Sequence, residues 1–170
     1  MHLWLSLLLN YAMAENTHFL DSYGPVAVNQ ELPTFGGHTI DDNYVSYKSL
    51  LNSHELIVIS YFTTSCGPCK KNLPIIDAFA DKNDSVSAIY INVGEDATAV
   101  RRFLQGLPLK HPIILDKFQT IAARHGVYEE GREPPIKVPI TFVLDKDGKV
   151  LKIVDIEGDD FAAQLNALTP

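Results

Sequence analysis

Two nearly continuous runs of apolar, β-branched and aromatic residues dominate the pattern of this chain, Leu56 to Phe62 and Ser87 to Val93. Neither alternates strictly with polar positions, so each reads as a strand buried on both faces, as in a parallel or mixed sheet covered by helices. Between them Leu73, Ile76, Phe79 and Ala80 recur at helical spacing and predict a helix with one apolar face. Gly94-Glu95-Asp96 leads into a predicted helix from Ala97 to about Gln105. His111 to Asp116 reads as a short extended segment, and Phe118 to about His125 as a helix ended by Gly126. Pro139 to Leu144 and Val150 to Val154 flank Asp145-Lys146-Asp147-Gly148, whose turn chemistry predicts an antiparallel hairpin. Asp160 to Leu168 closes the chain as a helix, while upstream Phe35 to Asn43 suggests a short hairpin and Tyr47 to Leu51 one helical turn. The order β-α-β-α, an inserted β-α, then β-β-α implies an α/β layered fold without internal repeats.

Composition narrows the class. The chain has 170 residues, 46% hydrophobic and 21% charged, which suits one domain with a core that needs no disulfide staples. A formal charge of -7 and the lack of a basic stripe argue against nucleic acid as a partner. Near the start, the apolar run Leu3 to Leu9 is followed by Ala12-Met13-Ala14, which predicts a signal peptide over residues 1–14 cleaved after Ala14. The run is shorter than the roughly 20 apolar residues that span a bilayer. Residues 15–32 lack periodicity and read as an N-terminal arm or linker, and residues 33–170 as the folded domain. The expected location is therefore periplasmic or secreted.

The chain has only two cysteines, Cys66 and Cys69, which excludes a framework of disulfides linking distant parts of the fold. They sit in Cys66-Gly67-Pro68-Cys69, between a predicted buried strand and a predicted helix. At such a junction Cys66 falls near the N-cap, where unpaired amides and the helix dipole favour a thiolate. Its pKa is expected below the free value of about 8.5, making it the attacking sulfur. Lys70 and Lys71 add positive charge one turn on. Cys69, three residues further, lies on the same side and is expected to resolve a mixed disulfide. Pro68 costs no hydrogen bond so early in a helix. Zinc would need two more ligands, and His38, His111 and His125 are scattered; a c-type haem would need His where Lys70 stands. No metal and no cofactor beyond the redox-active pair is expected.

Phe62-Thr63-Thr64-Ser65-Cys66-Gly67-Pro68-Cys69-Lys70-Lys71-Asn72-Leu73-Pro74 resembles the active-site segment of thioredoxin-like proteins. Val138-Pro139-Ile140-Thr141-Phe142-Val143-Leu144, running on to Gly148, looks like their cis-proline strand and hairpin. With the N-terminal hairpin and inserted β-α, the chain from Pro33 to Leu168 is most similar to the TlpA-like branch, exported thiol-disulfide oxidoreductases of which some serve cytochrome c maturation. The resemblance implies a three-layer α/β/α thioredoxin fold with a central mixed sheet. It further implies Cys66 and Cys69 as the catalytic dithiol, supported by Gly67, Pro68 and Lys70. Pro139 would be cis against the pair, and the backbone of Val138 an edge for a substrate peptide. Protein thiols and disulfides would be the substrates of a monomer recharged by a membrane thiol-disulfide donor.

Three positions depart from that pattern. Ser65 stands where many relatives carry Trp, Ser60 where thioredoxin has a buried Asp, and Asn72 where some cytochrome-maturation reductases have Glu. Without those carboxylates, the proton of Cys69 would pass to water or to an acid of the loop Glu129-Glu130-Gly131-Arg132-Glu133, if that loop is more than solvated surface. Reduction of protein disulfides is the leading expectation. A disulfide oxidase or isomerase would use the same pair, and a redox-weak binding module would fit the missing side chains. A thiol peroxidase would need Pro where Ile59 stands.

Overall fold

A computed structural model describes residues 22–154 and 159–168. The segment expected to be a signal peptide lies outside them. The centre is a five-stranded mixed sheet built on β5 (Leu56–Phe62), every residue of which is buried. It is preceded by β1 (Ser22–Tyr23), β2 (Val26–Ala27), β3 (Gly36–His38), β4 (Tyr44–Ser46) and α1 (Tyr47–Leu51). After it come α2 (Gly67–Asp81), β6 (Val86–Val93), α3 (Ala97–Phe103), β7 (Ile113–Asp116), α4 (Thr120–Arg124), β8 (Ile140–Asp145), β9 (Val150–Val154) and α5 (Asp159–Asn166). Spatial order is β7-β6-β5-β8-β9, with β5, β6 and β7 parallel and β8 antiparallel to both of its neighbours, β5 and β9. This is the thioredoxin fold.

Strand alternation sorts the core into two layers. Ile57, Ile59 and Tyr61 of β5 face a cluster with Ile89, Ile91, Phe142 and Ile121 of α4. Val58 and Phe62 face the other way, onto Leu73, Ile76 and Phe79 of α2 and Phe161 and Leu165 of α5. Helices therefore cover both faces, and the runs read from the sequence are buried on both sides for that reason.

The predicted N-terminal hairpin is present as β3 paired with β4. Thr39 bridges to Ile114 and the Ile40 amide donates to Ile113 O at 2.8 Å, which attaches the hairpin beyond β7. Within the stretch expected to be an arm or linker, residues 22–32 are packed. Val26 and Leu32 are buried in the core, and Asn29 N and Leu32 N donate to Val150 O and Gly148 O at 2.8 and 3.0 Å. The core thus begins earlier than Pro33, because this segment covers the outer edge of β9, which would otherwise present unpaired backbone groups. Its turn at Gly24 (φ +57°) meets Gly126 (φ +73°) so closely that a Cβ on Gly24 would lie 2.8 Å from Gly126 Cα.

Helix α4 starts two residues later than the pattern suggests. Gln119 takes a left-handed φ of +56°, and the carboxylate of Asp116 caps the helix by accepting from Ala122 N at 2.8 Å and Thr120 Oγ1 at 3.3 Å. Phe118 is left outside the helix and exposed. Among the described residues, no helix is long and apolar enough to cross a membrane.

Candidate active site

Strand β5 delivers the chain to the Cys pair at the end of the sheet where the parallel strands finish. Cys66 is the N-cap of α2 in extended conformation, and its Sγ accepts from Cys69 N at 3.2 Å. Gly67 and Pro68 fill the first two helical positions, where Pro68 forfeits no hydrogen bond. The two cysteines are joined by a disulfide, with Cα atoms 5.3 Å apart. Both cysteines are buried, and Cys66 at 8% exposed is the more accessible of the two beside Cys69 at 2%. Sγ of Cys69 lies 3.8 Å from Tyr61 O, an acceptor for its S–H once the bond is reduced.

Around the pair, Lys70 is exposed and its Nζ lies 6.0 Å from the ring centre of Phe103, which stacks on Phe62. Val138 and Pro139 are joined by a cis peptide bond, and Val138 packs against both core layers, including the layer that holds Cys66 and Cys69. Ser60 is buried and accepts from Thr141 Oγ1 at 3.0 Å, so no carboxylate stands behind the pair at that position. The loop from Glu129 to Glu133 is exposed, and the Glu129 carboxylate pairs with Arg132 and Lys137.

The carboxylate that does engage the active-site segment is Glu95, which the sequence pattern marks only as part of a connector. Its Oε2 accepts from Thr64 N at 2.8 Å and Asn92 Nδ2 at 2.6 Å, and its Oε1 accepts from Thr64 Oγ1 at 2.5 Å. Thr64 lies two residues before Cys66, so Glu95 fixes the path into the N-cap. The clue was topological: neighbouring parallel strands finish at one edge, and the loop after β6 must lie beside the loop after β5.

Behind β5, on the opposite layer, Tyr61 hydroxyl is hydrogen-bonded to Nδ1 of buried His125, and Nε2 of His125 lies 2.8 Å from Pro33 O. A carbonyl can only accept, so Nε2 carries the proton and Nδ1 accepts from Tyr61. Burial pushes His125 down to about 4, and burial with the nearby Asp116 charge pushes Tyr61 well above its ordinary value. Among the described residues, no group of His, Cys, Asp and Glu is arranged to hold a metal ion.

A vicinal dithiol at the helix N-terminus of a thioredoxin fold defines a thiol-disulfide oxidoreductase. The chain belongs to the Redoxin family, whose model matches residues 27–162. It is 27% identical over 140 residues to the thiol-disulfide oxidoreductase ResA of Bacillus thuringiensis subsp. konkukian, covering 81% of this chain and 74% of that one. A candidate protein disulfide isomerase from Bacteroides thetaiotaomicron superposes with a TM-score of 0.72 at 21% identity, covering 86% and 91% of the two chains. A secreted Mycobacterium tuberculosis disulfide oxidoreductase, homologous to E. coli DsbE, superposes at 0.63 with 20% identity, covering 79% and 96%.

Proposed function

We propose that this protein reduces protein disulfides outside the cytoplasm, with Cys66 as nucleophile and Cys69 as resolving thiol. The observation that carries the reading is the placement of Cys66 as the N-cap of a fifteen-residue helix, more exposed than the cysteine whose amide it accepts. Unpaired amides and the helix dipole favour the thiolate there. The Cys66 thiolate attacks one substrate sulfur, the substrate S–S bond breaks, and the second substrate sulfur leaves as a thiolate. Cys69, once deprotonated, attacks Sγ of Cys66, which releases the first substrate thiol and leaves the Cys66–Cys69 disulfide. Water or the departing thiolate takes the proton. A thiol donor must then return two electrons, and the likeness to TlpA-type proteins supports a membrane-bound one.

Export is supported by the apolar run and Ala12-Met13-Ala14 at the start of the chain and by the secreted structural relative. Monomeric action, with a single Cys pair per substrate encounter, belongs to the same reading, as do Lys70 and Val138 as supports of the pair.

The test is a Cys69→Ser variant, which should accumulate mixed disulfides with its partners, beside Cys66→Ser, which should accumulate none. Equal trapping by both variants would end the reading. Oxidation by the same pair is the reverse direction and is separated by reduction potential: roughly -270 mV marks a thioredoxin-like reductant and roughly -120 mV a strong oxidant.

A further inference from the structure

The geometry points to Phe103 as a positioning residue for thiol exchange, a ring on α3 that holds the Lys70 ammonium beside the first turn of α2 and so favours the Cys66 thiolate. This inference rests on the oxidoreductase reading above and deepens it. Lys70 is the fourth residue after Cys66, and its amide donates to Cys66 O at 3.4 Å. Residues at that spacing share one face of a helix, with Cβ atoms about 5–6 Å apart, and long helical side chains lean toward the N-terminal end. The charge of Lys70 therefore belongs to the end of α2 that carries the nucleophile.

An exposed lysine has a long flexible stem, and an ammonium that spreads through water does little for a neighbouring anion. Here Nζ of Lys70 lies 6.0 Å from the centre of the Phe103 ring. That is within the roughly 6 Å over which a ring face attracts a cation, for a preference of about two- to fivefold over open water. The ring is itself held in place. It is half-buried and stacks on Phe62, with centres 5.5 Å apart and planes 25° apart. Phe62 is fully buried in the apolar cluster that contains Cys66 and Cys69, and Phe103 packs against that same cluster. At the other end of α3, Glu95 ties the incoming loop to Thr64 N and Oγ1. Helix α3 is thus pinned on both sides of the entry into α2, and Phe103 meets Lys70 from a fixed position.

The charges around the pair make that placement matter. Glu95 is bound two residues before Cys66 and opposes a thiolate, as does the chain's net charge of -7. Asp96 beside it caps α3 through Ala99 N. Arg101 of α3 is paired with Asp41, and Lys137, before the cis-proline, with Glu129 and the face of Tyr23. Lys71 and Arg102 are the other cations on α2 and α3 near this end. Lys70 is the cation one turn from the sulfur, and Phe103 is the ring that keeps it there.

The test is the pH profile for reaction of the reduced full chain with the free disulfide of thionitrobenzoate. The Cys66 thiolate attacks one sulfur of the reagent, the S–S bond breaks, and coloured thionitrobenzoate leaves with the electron pair. The midpoint of the profile is the readout, because the plateau rate also carries attraction between Lys70 and the anionic reagent. Lys70→Gln should raise the midpoint by about half a unit, which is about threefold less thiolate at any pH below it. Phe103→Leu removes no charge and should give more than half of that shift, and Phe103→Tyr, which keeps a ring, should give none. In the Lys70→Gln background Phe103→Leu should add nothing, whereas a merely loosened helix would move the midpoint in both backgrounds. A midpoint unmoved by Lys70→Gln or by Phe103→Leu, or moved by Phe103→Leu equally with and without Lys70, would overturn the role of the ring and leave the chemistry of the pair intact. No reaction of the natural chain at any pH would instead remove the oxidoreductase reading and this inference with it.

Discussion

Glu95 binds three donors that belong to the entry into Cys66 or to the strand beside it. Removing its carboxylate leaves the Thr64 amide and hydroxyl and the Asn92 amide without that acceptor in a partly buried place. Glu95→Ala is expected to cost about 1–3 kcal/mol of stability and to slow exchange with a small disulfide severalfold, as the N-cap loses its fixed approach. Denaturant titration and stopped-flow kinetics check the two effects, and an unchanged rate would reduce Glu95 to a purely structural tie. His125 makes a pH prediction. Its folded pKa of about 4 lies below the usual 6.5, so the unfolded chain binds more protons between those values and stability rises with pH across that window. The contribution is complete above about 6.5 and amounts to about 3 kcal/mol, lost as pH falls toward 4. Denaturation midpoints at pH 7 and 4.5 should differ less in His125→Gln than in the natural chain. The Cys pair was legible in the sequence because its chemistry is local, two sulfurs one helical turn apart. Glu95 and His125 were not, since Thr64 lies 31 residues from Glu95, Tyr61 and Pro33 lie 64 and 92 residues from His125, and only the sheet brings them together.

Among elements, α2 has two tasks, presenting Cys66 at its start and anchoring the connection into β7 near its end. The anchor is Asp77, which accepts from Tyr90 hydroxyl at 3.0 Å, from the amides of Lys110 and His111, and pairs with His111 Nδ1 at 2.9 Å. Burial alone would raise the Asp77 carboxyl, but these hydrogen bonds outweigh it and hold it below its ordinary value. The stability they supply is present above the usual carboxylate pKa and is lost as pH falls through the lower folded one. Asp77→Ala leaves two amides without this acceptor and the buried Tyr90 hydroxyl with only Leu73 O, at 3.4 Å, for an expected loss of about 3 kcal/mol. Chemical denaturation measures it, and a loss below 1 kcal/mol would mean water replaces the carboxylate. Thiol exchange should persist at the temperature where the variant is still folded, because the N-terminal end of α2 is held separately by Glu95 and the sheet. Hydrophobic period located β5, β6, α2 and the β8–β9 hairpin because each buries a continuous face. It misplaced the start of α4, where the side chain of Asp116, and not an apolar repeat, decides the first helical residue.

On the scale of the whole molecule, the outermost strand β9 is completed by the segment upstream of Pro33. Val26 and Leu32 enter the core, Asn29 N and Leu32 N donate to Val150 O and Gly148 O, and Val150 N donates to Gln30 O. The strands here are two residues long, and Asn29-Gln30-Glu31 separates Val26 from Leu32, so no period can show, which is why the sequence pattern alone reads the segment as an arm or linker. Cleavage after Ala14 would leave all of it on the mature chain. A chain beginning at residue 33 loses the burial of one Val and one Leu, about 4 kcal/mol, against a total stability that for such domains is roughly 5–15 kcal/mol. It also bares the edge of β9 and leaves Pro33, whose carbonyl accepts from the His125 ring, at the start of the chain. Denaturant unfolding of chains starting at residues 22 and 33 should therefore differ by about that amount, and the shorter one should self-associate through the exposed strand as concentration rises. Equal midpoints with both chains monomeric in sedimentation would show that β9 needs no cover. The Cys pair lies across β8 and β5 from this edge, so whichever fraction of the shorter chain is folded should still exchange thiols, and its deficit should follow the folded fraction.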